Sequence, residues 1–213
     1  MQPHRTAALA GLLAVLAGAA LAQAPPPREV EVAASRLVLT LIPAKSAKPL
    51  RVSSPAFKDM GDIPFENTQY RGNVFPGLNW SKGPKETAAY AVILQDTDAL
   101  NNGEAILHWT MYNVPAKLRS LPPGMTAPPA GASFGPNVRG PNYPYTGPRT
   151  GPGPKHRYHF QVYALDRPLD ANPAMTFDQL KAGMSGHVLA SGQIVGLGQF
   201  DPTAPPPAPR PAS

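Results

Sequence analysis

The sequence predicts a mainly β protein with a minor helical part. Two observations carry that expectation. Five short runs rich in β-branched, leucine and aromatic residues recur along the chain, separated by turn signals. Against them stands one segment with a helical start signal.

In chain order, Arg36–Ile42 reads as a first strand. Residues 53–79 show little periodicity and carry turn signals at Met60-Gly61-Asp62, Ile63-Pro64, Arg71-Gly72-Asn73 and Pro76-Gly77. Ala88–Leu94 is a continuous apolar run, the pattern of a strand buried on both faces, and it ends at Gln95-Asp96-Thr97-Asp98. Ile106–Val114 is the next strand, stopped by Pro115. A long Pro/Gly segment from Leu121 to Pro154 follows, of a length that marks functional or mobile loops. Arg157–Leu165 is a strand. Thr176–Met184 reads as a short helix, with Thr176 as N-cap and Asp178 in its first turn. Val188–Leu197 returns to the strand pattern.

The 213 residues suit one domain with a sizeable core. Residues 1–22 read as a secretory signal: His4 and Arg5, then an uncharged apolar stretch from Ala7 to Leu21, then the small-x-small site Ala20-Leu21-Ala22. The stretch is shorter than the roughly 20 residues a spanning helix needs, and no second long apolar run follows. The expected product is exported, periplasmic or secreted, with no transmembrane segment. Residues 23–35 are a Pro/Ala-rich lead-in, 36–200 the folded domain, and 201–213 a disordered Pro-rich tail. Cysteine is absent, so burial alone must stabilise the fold and no lipid-bearing cysteine ends the signal. The formal net charge of +6 suits anionic small molecules or surfaces, but a moderately basic solvated surface is a plainer account of it than a dedicated polyanion site. The cations form no dense run with interleaved aromatics, so nucleic acid is not an expected partner.

Three segments place titratable residues in or beside strands. Asp96 and Asp98 follow the apolar strand, where they serve either turn chemistry or a cleft. In Leu107–Asn113, alternation puts His108, Thr110 and Tyr112 on one face, with Leu107, Trp109 and Met111 on the other. In His156–Tyr163, His156, Tyr158, Phe160 and Val162 share the core face. Arg157, His159, Gln161 and Tyr163 share the other, with His159 solvated. No Gly-x-Ser-x-Gly elbow, cysteine nucleophile, Walker loop or Gly-x-Gly-x-x-Gly motif is present. The five histidines lack zinc-ligand spacing, so no metal or other cofactor is expected, although His108, His156 and a carboxylate form a conceivable metal set.

The ordered motifs resemble the bacterial, Raf kinase inhibitor-like branch of the phosphatidylethanolamine-binding protein family over roughly Leu50–Phe200. They are Ser54-Pro55-Ala56-Phe57, Gly77-Leu78-Asn79-Trp80, Asp96-Thr97-Asp98-Ala99, Leu107-His108-Trp109, Tyr112-Asn113-Val114-Pro115, Gly135-Pro136-Asn137, Tyr145-Thr146-Gly147-Pro148, His156-Arg157-Tyr158, Tyr163-Ala164-Leu165-Asp166 and Gly186-His187-Val188-Leu189-Ala190. The family pattern has Pro where Thr97 and Leu100 stand here, and its Gly-Pro-x-Pro-Pro-Gly segment becomes Gly147–Pro154. The resemblance implies an antiparallel β-sandwich with a few short helices. It also implies a pocket for phosphate, acetate or a phospholipid head group, lined by Asp96, Asp98, His108, His156 and Tyr158, with Arg149 at its rim. The expected function is non-enzymatic binding of a small anionic ligand. Two alternatives stand beside it: a protein-interaction or inhibitor module acting on a kinase or protease, and an acid–base hydrolase using the same pocket.

Overall fold

The computed structural model describes residues 35–205. The expected signal segment, most of the lead-in and residues 206–213 lie outside the described residues.

The described residues form nine strands, β1 (Val52–Ser53), β2 (Gly61–Asp62), β3 (Leu78–Trp80), β4 (Ala89–Asn101), β5 (Glu104–Pro115), β6 (Ser120–Leu121), β7 (Ser133–Phe134), β8 (His156–Leu165) and β9 (Val188–Gly198). Among the same residues stand two helices, α1 (Val38–Leu41) and α2 (Phe177–Met184), and a 3-10 turn at Phe65–Asn67. The strands form a six-stranded sheet, β2-β9-β8-β4-β5-β7, and a three-stranded sheet, β1-β3-β6. The sheets are not strictly antiparallel as the resemblance implied: β2 runs parallel to β9.

The large sheet lies between two apolar layers. One, against the small sheet, joins Leu78, Trp80 and Leu121 to Val92, Leu94, Trp109, Met111, Tyr158, Phe160 and Val162. The other, beneath the helices, joins Val38, Leu180 and Met184 to Ala91, Ile93, Tyr163 and Leu165. This explains the unbroken apolar run of β4: both of its faces are covered, and Val92, Ile93 and Leu94 are fully buried. Burial of each such side chain stabilises by roughly 1.5–3 kcal/mol.

Several expectations change. Arg36–Ile42 is not a strand but carries the short helix α1. Its backbone is occupied by the sheet's side chains, with Val38 N donating to Gln95 Oε1 and Leu39 N to Gln161 Oε1. It therefore caps the helical face instead of adding to an edge. β4 runs past Leu94 to Asn101 and turns into β5 through Asn102-Gly103, both at positive φ, as a tight two-residue hairpin requires. His159 is not solvated. It is 8% exposed and bonded to Thr97 and Gln193, because β8 is central and buried on both sides. The expected tail also begins in order: Asp201 is buried and paired with Arg71 at 2.6 Å. α2 follows its sequence signal. Thr176 accepts from Gln179 N, Gln179 returns the bond to Thr176 N, and Asp178 lies in the first turn.

Candidate functional site

Strand pairing and one irregularity position the site. β4 and β8 pair Asp96 with Tyr158, two residues from His156 on the same face. β5 brings His108 to them by a bulge. Leu94 pairs with Trp109 and Gln95 with Leu107, which leaves His108 as the extra residue. The strict alternation expected for Leu107–Asn113 is thereby broken. The His108 ring does not sit apart from the Trp109 core. It meets the Tyr158 ring edge-on at 5.1 Å, and Tyr158 belongs to that core.

Asp96 is almost completely buried, and its oxygens are divided between two tasks. Oδ1 accepts from the backbone N–H groups of Asp98 and Ala99 at 2.8 and 3.2 Å. Oδ2 lies 2.8 Å from His156 Nδ1. That hydrogen bond raises the His156 pKa, more than partial burial lowers it, so Nε2–H of the protonated ring is left as an outward donor. His108 is the opposite case. Burial pushes its pKa below the ordinary value despite nearby Asp96 and the Gly147 carbonyl. Its Nδ1 lies 3.1 Å from Gly147 O, the geometry of a donor to a carbonyl, so the neutral ring keeps Nε2 as an acceptor. Gly147 approaches Asn67 O and the Tyr145 ring so closely that no Cβ fits there, and this fixes the carbonyl that holds His108.

A cavity of about 320 Å³ opens over these groups, lined by Asp96, His108 and His156 together with Gln69, Arg139 and Arg149. Arg149 lies over the Tyr70 ring at 5.1 Å. Arg139 donates to Gln69 Oε1 at 2.6 Å, and Gln69 in turn donates to Gly147 O at 2.7 Å. The structure thus brings four of the six sequence-derived residues to one cavity: Asp96, His108, His156 and Arg149.

The other two stand behind it. Asp98 is taken by Arg157, through a forked contact at 2.8 and 2.5 Å and a backbone bond at 2.7 Å. Burial alone would raise its pKa, but the Arg157 hydrogen bonds and charge hold it below the usual carboxylate range. Tyr158 is not among the lining residues, and its hydroxyl lies 3.1 Å from Thr150 Oγ1. Burial and the Asp96 charge push its pKa well up. Its ring supports His108 edge-on and His156 by stacking, and Gly198 opposite leaves no room for a Cβ against that ring. Sequence reasoning missed Gln69 and Arg139. Only the unusual length of the Pro/Gly segment hinted at Arg139, and Gln69 carried no signal. Among the described residues no group of three or more His, Asp or Glu side chains could hold a metal ion.

A sheet layered in this way, with polar groups gathered on three central strands, is built as a β-rich binding protein. The chain belongs to the phosphatidylethanolamine-binding protein family, whose family model matches residues 53–199. It is 34% identical over 151 residues to a UPF0098 protein of Methanothermobacter thermautotrophicus, covering 70% of this chain and 97% of that one. It is also 34% identical over 160 residues to LppC of Mycobacterium tuberculosis, named as a candidate lipoprotein, covering 75% of this chain and 76% of the relative. Among solved structures, a phosphatidylethanolamine-binding protein homologue from Chlamydia trachomatis, CT736, aligns with a TM-score of 0.64 at 28% identity. That alignment covers 73% of this chain and all of the other. Among the described residues no helix is long and apolar enough to cross a membrane.

Proposed function

We propose that this chain is an exported binding protein whose histidine cavity takes small anions of the phosphate class, free or as a phospholipid head group, without turning them over. The observation that carries this reading is the charge arrangement of the cavity. Asp96 is compensated by His156 and two backbone N–H groups, which leaves the guanidiniums of Arg139 and Arg149 in the lining without a carboxylate partner among the described residues. A planar guanidinium suits a forked contact with a phosphate. His156 Nε2–H adds a donor, and neutral His108 accepts a proton-bearing oxygen of the ligand. A pocket with this few donors binds in about the micromolar to millimolar range.

Calorimetric titration with phosphate tests the reading. His108→Ala removes the acceptor and is expected to abolish most of the affinity. Arg149→Ala is expected to weaken binding about tenfold, the loss of one charged contact. Unchanged phosphate affinity in His108→Ala overturns the assignment. Turnover of a phosphate ester that is lost in the same variant would favour the hydrolase reading instead.

A further inference from the structure

The positive charge of the domain is not spread evenly. Arg36, Lys45, Arg71, Lys85, Lys155, Arg157 and Lys181 each have a carboxylate within ion-pair distance. Two groups of cations without such a partner among the described residues converge. One is Arg139 and Arg149 at the histidine cavity. The other is Lys48, Arg51 and Lys82, which line a separate cleft of about 350 Å³ with no carboxylate in its lining.

We propose that this cleft is a second anion site, taking a ligand of the phosphate class that carries two or more closely spaced negative charges. Three like charges around one concavity repel each other, and a multivalent anion relieves that repulsion while a single charge does so only in part. The walls are fixed. The 46–50 segment is hydrogen-bonded along β9, from Ser46 N to Leu189 O and from Leu50 N to Ser191 O, each at 2.9 Å. The two walls are tied to each other: Arg51 N donates to Ser81 Oγ at 3.0 Å and Ser81 N to Arg51 O at 2.9 Å. On the far side Tyr90 Oη accepts from the buried Gly83 N at 3.0 Å. The cations therefore project from a preorganised frame, which lowers the ordering cost of binding. The cleft contains no histidine, so its affinity is insensitive to protein titration around neutrality and strongly weakened by salt.

The test is a backbone-amide NMR titration of the full chain with inorganic pyrophosphate, comparing wild type, H108A and the triple variant K48Q/R51Q/K82Q. The proposal expects saturable shifts at Lys48, Ser81 and Lys82 that persist in H108A and weaken at least about tenfold in the triple variant. The charge-conserving K48R/K82R variant, with an unchanged melting profile, is expected to retain them. No saturation below about 10 mM pyrophosphate, or equal binding by the triple variant, overturns the proposal. Because H108A addresses only the other cavity, failure here is separable from failure of the function proposed above. Sedimentation with phosphatidylcholine vesicles, with and without phosphatidic acid, identifies the source. Charge-dependent retention lost in the triple variant assigns a lipid head group. Pyrophosphate binding without vesicle retention assigns a soluble ligand.

Discussion

His156–Asp96 and His187–Asp166 are the same pair by composition and by length, each with Nδ1 2.8 Å from a carboxylate oxygen. Their surroundings separate them. The Asp96 side chain is 2% exposed and shares its second oxygen between two backbone N–H groups, whereas Asp166 is 27% exposed and gives its second oxygen to Lys45 at 3.0 Å. The first pair borders a cavity with two guanidiniums in its lining, while the second closes the connection between β8 and β9 on the surface. A histidine–aspartate bond is therefore not itself a signature of function. What distinguishes the cavity pair is that burial makes the carboxylate costly to leave unpaired, and that the ring's remaining nitrogen has somewhere to point.

The contrast is broken most directly by removing each carboxylate. Asp96→Ala strips charge-assisted bonds from His156 and two backbone N–H groups in a buried position. It is expected to cost about 3 kcal/mol or more in denaturant unfolding. Asp166→Ala is expected to leave the transition midpoint within the scatter of ordinary surface substitutions. Equal losses in the two variants would mean that burial does not separate the pairs.

A pH series sharpens the same comparison. The His156 pKa is raised by its bond to Asp96, so its charge is fully present below the ordinary histidine value and is lost as pH rises through the elevated one. Stability from the pair follows that direction, and so does the outward donor. Affinity for sulfate, whose charge does not change over this range, is expected to fall as pH rises through the raised value. In His156→Gln the fall should disappear; a pH profile identical to wild type would remove His156 from the site. His108 contributes with the opposite sign. Its pKa is lowered by burial, so the folded state resists its protonation, and the corresponding stability is present above the ordinary value and lost as pH falls. The smallest effect is expected from His187→Gln, which should leave sulfate affinity and its pH dependence unchanged by calorimetry.

Much of this was legible in the sequence because apolar periodicity speaks to strands. The runs that become β4, β5, β8 and β9 were readable, and Thr176 marked its helix through the chemistry of its side chain. The core-facing placement of His156 and Tyr158 followed from alternation alone, since β8 has no irregularity there. His108 was misplaced because a bulge inserts one residue without leaving a compositional mark. Arg36–Ile42 was misread as a strand because a short apolar run fits a strand and one helical turn equally, and the deciding contacts come from Gln95 and Gln161 far along the chain. Asp96 and Asp98 looked equivalent as neighbours. Only the fold shows that Arg157 occupies one of them and His156 the other.

The Arg71–Asp201 pair has a mechanical consequence. Arg71 adjoins Tyr70, whose ring meets Phe200 edge-on at 6.0 Å and carries Arg149 on its face, and Gln69 one residue earlier lines the cavity. The carboxy-terminal end of the domain is thus stitched to the wall that aims a guanidinium at the histidines. A cut just before Phe200 would slacken that wall while removing nothing that touches the cavity, and a load hung on the chain beyond Asp201 would pull on the same seam.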